Sequence, residues 1–412
     1  MSKRTFVIVG ASLAGAKAAE ELRSRGFDGR VVLVGAEPDR PYERPPLSKD
    51  YLRGESERAK TYVHAEEFYE QQQIELLTDY TVSAIDPGGS RITLKDGREL
   101  GFDRLLLTTG AEPRRIEVPG ADLDGIHYLR TLEDCETLRE RLDGGGRLVV
   151  VGAGWIGSEV AASARQRGLA VTMIDPLKLP NERIFGTEIG EFYRDVHAER
   201  GVELLLGEGV EAFEGEGAVA RVRTSGGRVV ECDFAVVGTG VAPRIELAHG
   251  AALEVENGIV VDEQLRTSAP HVFAAGDVAD AWHPFYGRRI RVEHWSNALK
   301  QGPAAARAML GETISYDRIP YFFSDQYDIG MEYSGYATEW DQVVFRGERA
   351  SREFVAFWLK GGRVVAGMNV NVWDVNEHLQ ALIRARAAVE VSALTDPDTS
   401  LDSLVSRPRE GS

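Results

Sequence analysis

The sequence predicts an α/β fold in which two Rossmann-like βαβ domains are followed by a C-terminal α+β domain. Three observations carry this. Two glycine-rich turns of one design, Gly10-Ala11-Ser12-Leu13-Ala14-Gly15 and Gly152-Ala153-Gly154-Trp155-Ile156-Gly157, each follow an apolar run and open a helical pattern. An acidic residue, Glu37 or Asp175, follows each turn after the next strand, roughly 20 to 30 residues on. From about Tyr321 the pattern changes to alternating strands without any glycine fingerprint.

The first unit reads as a strand over 5–9, a helix over 14–25 and a strand over 30–34 that leads to Glu37. A polar, proline-containing loop follows at 41–49, then a β-like stretch at 91–94 and an apolar strand at 105–108 before Thr109-Gly110. The second unit repeats the plan, with a strand over 147–151, a helix over 157–167 and a strand over 170–174 ending in Asp175. Beyond Tyr321, alternating strands at 342–345 and 354–358 precede a helical stretch at 375–388, as a separate α+β domain would.

In the second turn Gly152 permits the tight bend, Gly154 lets the backbone approach a pyrophosphate, and Gly157 allows helix and strand to pack closely. The helix N-terminus then faces the phosphates. Asp175 stands where a carboxylate accepts from a ribose hydroxyl, and its charge repels a 2′-phosphate, which favours NADH over NADPH. Lys178 and Arg183 pull the other way, since a cation suits the extra phosphate. The first turn is degenerate, with Ser12 in place of the middle glycine. Its place after an N-terminal strand and before Glu37 supports a second dinucleotide site over an ordinary surface turn. Two such sites in one chain point to electron transfer between a nicotinamide and a flavin.

Composition narrows the classes. With 412 residues, 43% of them hydrophobic, the chain is long enough for two to three domains. A net charge of −17 argues against nucleic acid as partner, which needs a basic footprint. The apolar runs around 147–152 and 234–238 are far too short to span a bilayer. Met1-Ser2-Lys3-Arg4 runs straight into the first strand, leaving no room for a leader, so a cytoplasmic location is expected. Cys135 and Cys232 lie far apart and form no CxxC, so no disulfide set and no metal site is indicated.

Further segments carry a resemblance. Thr108-Thr109-Gly110-Ala111 resembles the short loop that closes a flavin domain, and 267–278, TSAPHVFAAGDV, resembles the TSxPxVFAxGD signature whose Asp contacts the flavin ribityl chain. Arg44-Pro45-Pro46-Leu47-Ser48-Lys49, Glu293-His294-Trp295-Ser296-Asn297-Ala298 and Tyr321-Phe322-Phe323-Ser324-Asp325-Gln326-Tyr327 narrow it further. Over essentially its whole length the chain resembles the FAD-dependent ferredoxin reductases of bacterial oxygenase and P450 systems, the putidaredoxin, rubredoxin and rhodocoxin reductase type.

The resemblance implies a tightly but non-covalently bound FAD in a discontinuous domain, 1–112 with 244–320, around an NAD(H) domain at 113–243. The C-terminal domain, 321–412, would help form the surface that receives an iron-sulfur protein. It implies FAD contacts at Gly10, Ser12, Leu13, Ala14, Gly15, Glu37, Arg44, Lys49, Val82, Thr109, Gly110, Arg130, Asp277 and Trp295, the last beside the isoalloxazine. It implies NAD contacts at Gly152, Gly154, Trp155, Ile156, Gly157, Glu159, Asp175, Arg183 and Gly240. Lys49, Glu159 and Trp295 are the candidate catalytic residues, although hydride chemistry belongs to the cofactors.

Each has an ordinary alternative. A lysine after a turn commonly lays its stem along apolar surface, a carboxylate on a first helical turn interacts favourably with the helix dipole, and a tryptophan fills cores. A lysine beside flavin N1 or N5 would stabilise the reduced, anionic ring, and Glu159 is placed to pair with it. Disulfide reductases of this superfold need paired cysteines near the flavin, and the related peroxidases and oxidases need one reactive cysteine. The stretch from Glu37 to Gly110 has none. Electrons are therefore expected to leave the flavin directly, to a small acidic ferredoxin feeding a P450 or ring-hydroxylating oxygenase, with Arg288, Arg289 and Arg291 as a local basic patch. An NAD(P)H oxidase or quinone reductase, and a flavoprotein binding module of the apoptosis-inducing-factor kind, are the competing readings.

Overall fold

The computed structural model describes residues 4–405, so the Met1-Ser2-Lys3 start, and the expectation of no leader that rests on it, lie outside the described residues. The chain divides into two compact units. One is formed by the chain up to Pro45 with Glu57–Glu112 and Val241–Arg318; the other by Pro46–Ser56, Pro113–Gly240 and the chain from Ile319 onward.

The first unit is built on a five-stranded parallel sheet in the order Val272–Ala274, Arg104–Leu107, Thr5–Val9, Arg30–Val34, Ile74–Leu77. Parallel strands of this kind are buried on both faces and read as near-continuous apolar runs. The helix Leu13–Ser24 lies against the helix Trp295–Leu310. The approach is close: a Cβ on Gly302 would stand 2.2 Å from the carbonyl oxygen of Ala14. Chain order runs outward on both sides of Thr5–Val9, so the crevice beyond its carboxyl end is a topological switch point, and the Gly10 turn opens there.

The second unit holds an equivalent sheet, Glu203–Leu206, Ala170–Asp175, Arg147–Val151, Phe234–Val237, Ile126–His127, again all parallel. Its helix spans Trp155–Gln166, beginning two residues before the sequence-based expectation, so Trp155 and Ile156 sit on the first turn. Each unit also carries a three-stranded antiparallel sheet, Val82–Asp86 with Arg91–Leu94 and Glu99–Gly101 in the first, Val210–Glu214 with Arg221–Thr224 and Val229–Glu231 in the second. The βαβ plan is therefore repeated together with its appendage.

From Tyr321 the chain forms a five-stranded antiparallel sheet in the order Tyr321–Gln326, Ile329–Gly335, Arg363–Val370, Glu353–Lys360, Gln342–Glu348. Its aromatic residues Phe322, Tyr333, Phe354 and Trp358 share one core with Phe185 and Tyr193. The Trp358 indole N–H donates to the Phe185 carbonyl at 3.0 Å, satisfying the only polar atom it buries. The helix expected at 375–388 spans Asn376–Ala385 and ends where Arg386 turns left-handed at φ 50°. Among the described residues no helix is long and apolar enough to cross a membrane.

Candidate functional site

The outer glycines of both turns answer to the fold itself. The Gly10 amide donates to Val34 and the Gly152 amide to Ile174, each at 2.8 Å. Their φ values of +117° and +103° lie where only glycine sits without strain, and a Cβ would meet the carbonyl oxygens of Thr108 at 2.1 Å and Gly238 at 2.4 Å. A Cβ on Gly15 would stand 2.2 Å from the Gly10 carbonyl oxygen, and one on Gly157 only 1.9 Å from that of Gly152.

The middle position is different. Gly154 has φ −77° and ψ −172°, extended backbone open to any residue, and a Cβ there would find nothing within 4 Å. Ser12 occupies the same place at φ −124°. The open space at Gly154 lies at a helix N-terminus that no side chain caps, and the helix after Ser12 is likewise uncapped. The helix Leu132–Asp143, by contrast, is closed by a Thr131–Asp134 capping box. An uncapped N-terminus leaves backbone N–H donors for an anion, and the residues present fit a dinucleotide pyrophosphate at each turn.

The acids are held by different means. Asp175 accepts from the amides of Ala153 at 2.6 Å and Leu177 at 2.7 Å, tying the second strand's end to the glycine turn while leaving lone pairs for a ribose. Glu37 accepts from the Tyr42 hydroxyl and from Arg44 at 3.2 Å, and Arg44 also donates to Tyr42 at 3.1 Å. Lys178 and Arg183 are both exposed.

Lys49 and Glu159 meet. The segment Pro46–Ser56 belongs to the second unit, and it places Lys49 Nζ 2.8 Å from Glu159 Oε2 with the two residues 8% and 4% exposed. Ser48 donates to the same carboxyl oxygen, and Ser324 donates to Glu159 Oε1 at 2.7 Å. Phe323 lies under the ammonium, its ring centre 5.6 Å from Nζ. Burial pushes the nearby Asp325 carboxyl up against the opposing pull of Lys49. A buried pair of this kind is costly to break, about 3–5 kcal/mol when one partner is removed, because the other charge is stranded.

The remaining candidates are scattered over both units. In the first unit Val82 is buried, Thr109 Oγ1 donates to the Arg244 carbonyl at 3.0 Å, and Gly110 and Gly276 adopt left-handed φ of 70° and 81°. The Gly276 amide before Asp277 donates to Gln301 at 2.8 Å. Trp295 opens its helix, and burial pushes the Glu43 carboxyl up against the opposing pull of the Trp295 indole. In the second unit Arg130 sits beside the Leu132–Asp143 cap, its amide donating to Asp134 at 3.0 Å, and Gly240 is exposed with φ +93°.

The basic patch needs correcting. Arg288 and Arg289 are exposed on the strand Arg288–Ile290, but the Arg291 side chain is only 8% exposed, paired with Glu293 and donating to the Asp277 carbonyl at 3.3 Å. Its stem is drawn inward, and the patch reduces to two residues. Both cysteines are buried, and burial pushes each thiol up to about 12. Neither is a thiolate at working pH, so neither is a nucleophile.

Sequence reasoning passed over Ser48, Ser324, Gln326 and His197 as site residues. Ser48, Ser324 and Gln326 fall inside segments that carry the family resemblance, which was the available signal; His197 lay in none.

The chain from 4 to 302 matches the family model described as pyridine nucleotide-disulphide oxidoreductase, and 321–405 matches the reductase C-terminal model. It is 36% identical to rhodocoxin reductase of Rhodococcus erythropolis over 98% of this chain and 95% of that protein. It is 39% identical to the anthranilate 1,2-dioxygenase system ferredoxin–NAD(+) reductase component of Burkholderia cepacia, over 98% of this chain and all of that one. The reductase in the crystal structure of the covalent putidaredoxin reductase–putidaredoxin complex superposes with a TM-score of 0.94 at 36% identity, covering 98% of this chain and 99% of that one. The two uncapped glycine turns and the antiparallel C-terminal sheet are thus those of a known lineage: the chain belongs to the pyridine nucleotide-disulphide oxidoreductase family, in the ferredoxin reductase branch that carries the reductase C-terminal domain.

Proposed function

We propose that this chain is an FAD-dependent NADH:ferredoxin reductase that takes hydride from NADH and passes single electrons to a small acidic iron-sulfur ferredoxin, which feeds a cytochrome P450 or ring-hydroxylating oxygenase. The observation that carries the reading is the pair of uncapped glycine turns in a chain whose two thiols are buried and held protonated. Bound FAD accepts electrons as a pair and releases them one at a time.

The protein's own residues bind, orient and exclude water. In this reading the domains run 1–112 with 244–320 for FAD, 113–243 for NADH and 321–412 for the C-terminal domain. The Gly10 turn with Glu37 and Arg44 would hold the flavin nucleotide, Asp277 the ribityl chain and Trp295 the ring, and Lys49 would supply the cation that stabilises the reduced flavin. The Gly152 turn and Asp175 receive NADH and disfavour the 2′-phosphate of NADPH. Glu159 neutralises Lys49 and fixes its ammonium. Arg288 and Arg289 offer the acidic ferredoxin a local positive edge on a negative protein, a steering contribution that salt screens. The absence of a membrane-crossing helix among the described residues, and two free thiols, support a cytoplasmic enzyme.

The test is NADH-driven reduction of a panel of purified ferredoxins by the FAD-loaded protein, with oxygen uptake and the NADH to NADPH efficiency ratio followed alongside. Rapid reduction of at least one ferredoxin with little oxygen consumed, and NADH preferred, is expected. Oxygen uptake that outruns every ferredoxin would identify an oxidase instead, and a preference for NADPH would overturn the role of Asp175.

A further inference from the structure

Behind Glu159, within the second unit, runs a line of buried polar side chains that neither cofactor is expected to touch. Ser324 Oγ is 2.7 Å from Glu159 Oε1, Gln326 Nε2 is 3.2 Å from Ser324 Oγ, and Gln326 Oε1 is 3.0 Å from His197 Nε2. His197 Nδ1 in turn is 3.0 Å from the Tyr327 hydroxyl. Glu159, Ser324, Gln326 and His197 are all buried, so each polar atom must find its partner within the chain.

The direction of every bond follows from the Glu159 end. A carboxylate paired with Lys49 carries no proton, so the Ser324 hydroxyl must donate to it. Having used its hydrogen, the Ser324 oxygen accepts from the Gln326 amide NH2, which turns the amide oxygen toward His197. The proton of His197 must then sit on Nε2, and Nδ1 accepts from the Tyr327 hydroxyl. Burial pushes the His197 imidazole down to about 4, so it is neutral at working pH and has one proton to place.

We propose that Tyr327, His197, Gln326 and Ser324 form a one-directional hydrogen-bond chain that positions the Glu159–Lys49 pair, with Ser324 as the residue that delivers it. Every donor in the chain points toward Glu159. Together with Ser48 and Lys49 the carboxyl group accepts from three side chains and has one orientation. The chain orients; it does not conduct protons, because a glutamine amide passes a proton along only as an imidic acid. Reversal is blocked as long as residue 159 is a pure acceptor. The functional consequence rests on the reading of Lys49 and Glu159 as site residues; the hydrogen-bond direction does not.

Two measurements on the FAD-loaded protein test it and keep these apart. The first reads the His197 tautomer by nitrogen-15 NMR of histidine-labelled protein, its signal assigned by loss in His197→Gln. The Nε2–H tautomer is expected in the parent and in Ser324→Thr, which keeps the hydroxyl. In Glu159→Gln, whose amide donates to Ser324 and lets the chain turn round, the Nδ1–H tautomer is expected to rise to a comparable share. The second reads stopped-flow flavin reduction. Ser324→Ala is expected to lower the limiting rate at saturating NADH about tenfold while the NADH dissociation constant stays within about twofold, and Ser324→Thr to restore it. An Nδ1–H tautomer in the parent, or a tautomer unmoved by Glu159→Gln, overturns the chain's direction. An unchanged limiting rate in Ser324→Ala with the tautomer result intact overturns its positioning role. If NADH fails to reduce the parent flavin at all, the proposed function fails, and the tautomer arm still decides the chain.

Discussion

The two glycine turns share their ends and differ in the middle. Gly10 and Gly152 are wired to the next strand by the same amide bond, and Gly15 and Gly157 are pressed against the first glycine's carbonyl in the same way. Position two is glycine in one and serine in the other, and in neither does the chain's own packing require glycine. The surroundings differ as well. Ala14, two residues after Ser12, is 4% exposed beneath the second helix of its unit, whereas the matching Ile156 is 40% exposed. The lesson is that a fingerprint mixes two demands: its outer glycines belong to the fold, and its middle one belongs to the ligand. A covered turn suits the resident flavin nucleotide of the proposed function, and an open one the exchanging nicotinamide.

Substitutions separate these demands. The largest effect is expected from Gly157→Ala and Gly15→Ala, where a methyl group would press into a backbone carbonyl that cannot give way. Each is expected to lose about 3 kcal/mol or more in thermal or urea unfolding, if the protein folds at all. Equal losses at the two sites sharpen the parallel, and a tolerated Gly157→Ala breaks it. Next comes Gly154→Ser, which copies the first turn into the second. Its unfolding midpoint is expected to stay at the parent's, while KM for NADH rises about tenfold, roughly 1.4 kcal/mol of binding. Ser12→Gly is expected to change neither stability nor flavin content appreciably.

A smaller effect on stability than the glycine substitutions compares one histidine in each unit. His197 and His294 are both pushed down to about 4 by burial. An imidazole that titrates near 4 when folded and near 6.5 when unfolded binds its proton more readily in the unfolded chain. Its contribution is therefore intact above about pH 6.5 and is lost as pH falls toward 4. At pH 5.5 each is expected to cost about 1 kcal/mol relative to pH 7.5, read from urea midpoints, with His197→Gln and His294→Gln each removing its own share of the difference.

The parts of this fold legible in the sequence are those set by local rules. Strand ends at Thr5–Val9, Arg30–Val34 and Arg147–Val151 coincide with the bounds read from apolar runs closed by glycine and charge. Helix starts were less legible: the helices begin one and two residues before the expected 14 and 157, because the glycine pattern marks the turn and neither Ser12 nor Gly154 closes the first helical turn with a side-chain cap. Within the site, the meeting of Lys49 with Glu159 was legible through the family resemblance, and the structure forms it at 2.8 Å. The hydroxyls that complete the Glu159 carboxyl's partners were not: Ser48 and Ser324 are distant from it in sequence, and no periodicity reports a hydrogen bond across such a span. Arg291 shows the converse: three arginines in four residues look like a patch, but an ion pair with Glu293 takes one of them out of it.

The central claim is that electrons leave the flavin directly for a one-electron carrier, with no thiol on the way. The most direct test is the Cys135→Ala/Cys232→Ala double variant, loaded with FAD and assayed for NADH-driven ferredoxin reduction beside the parent. Both side chains are buried, and the Cys135 thiol donates to the Leu47 carbonyl at 3.2 Å, so some stability is expected to be lost, but kcat for ferredoxin reduction per bound flavin is expected to stay within about twofold of the parent. Loss of ferredoxin reduction in a variant that still binds FAD and is still reduced by NADH would contradict the account.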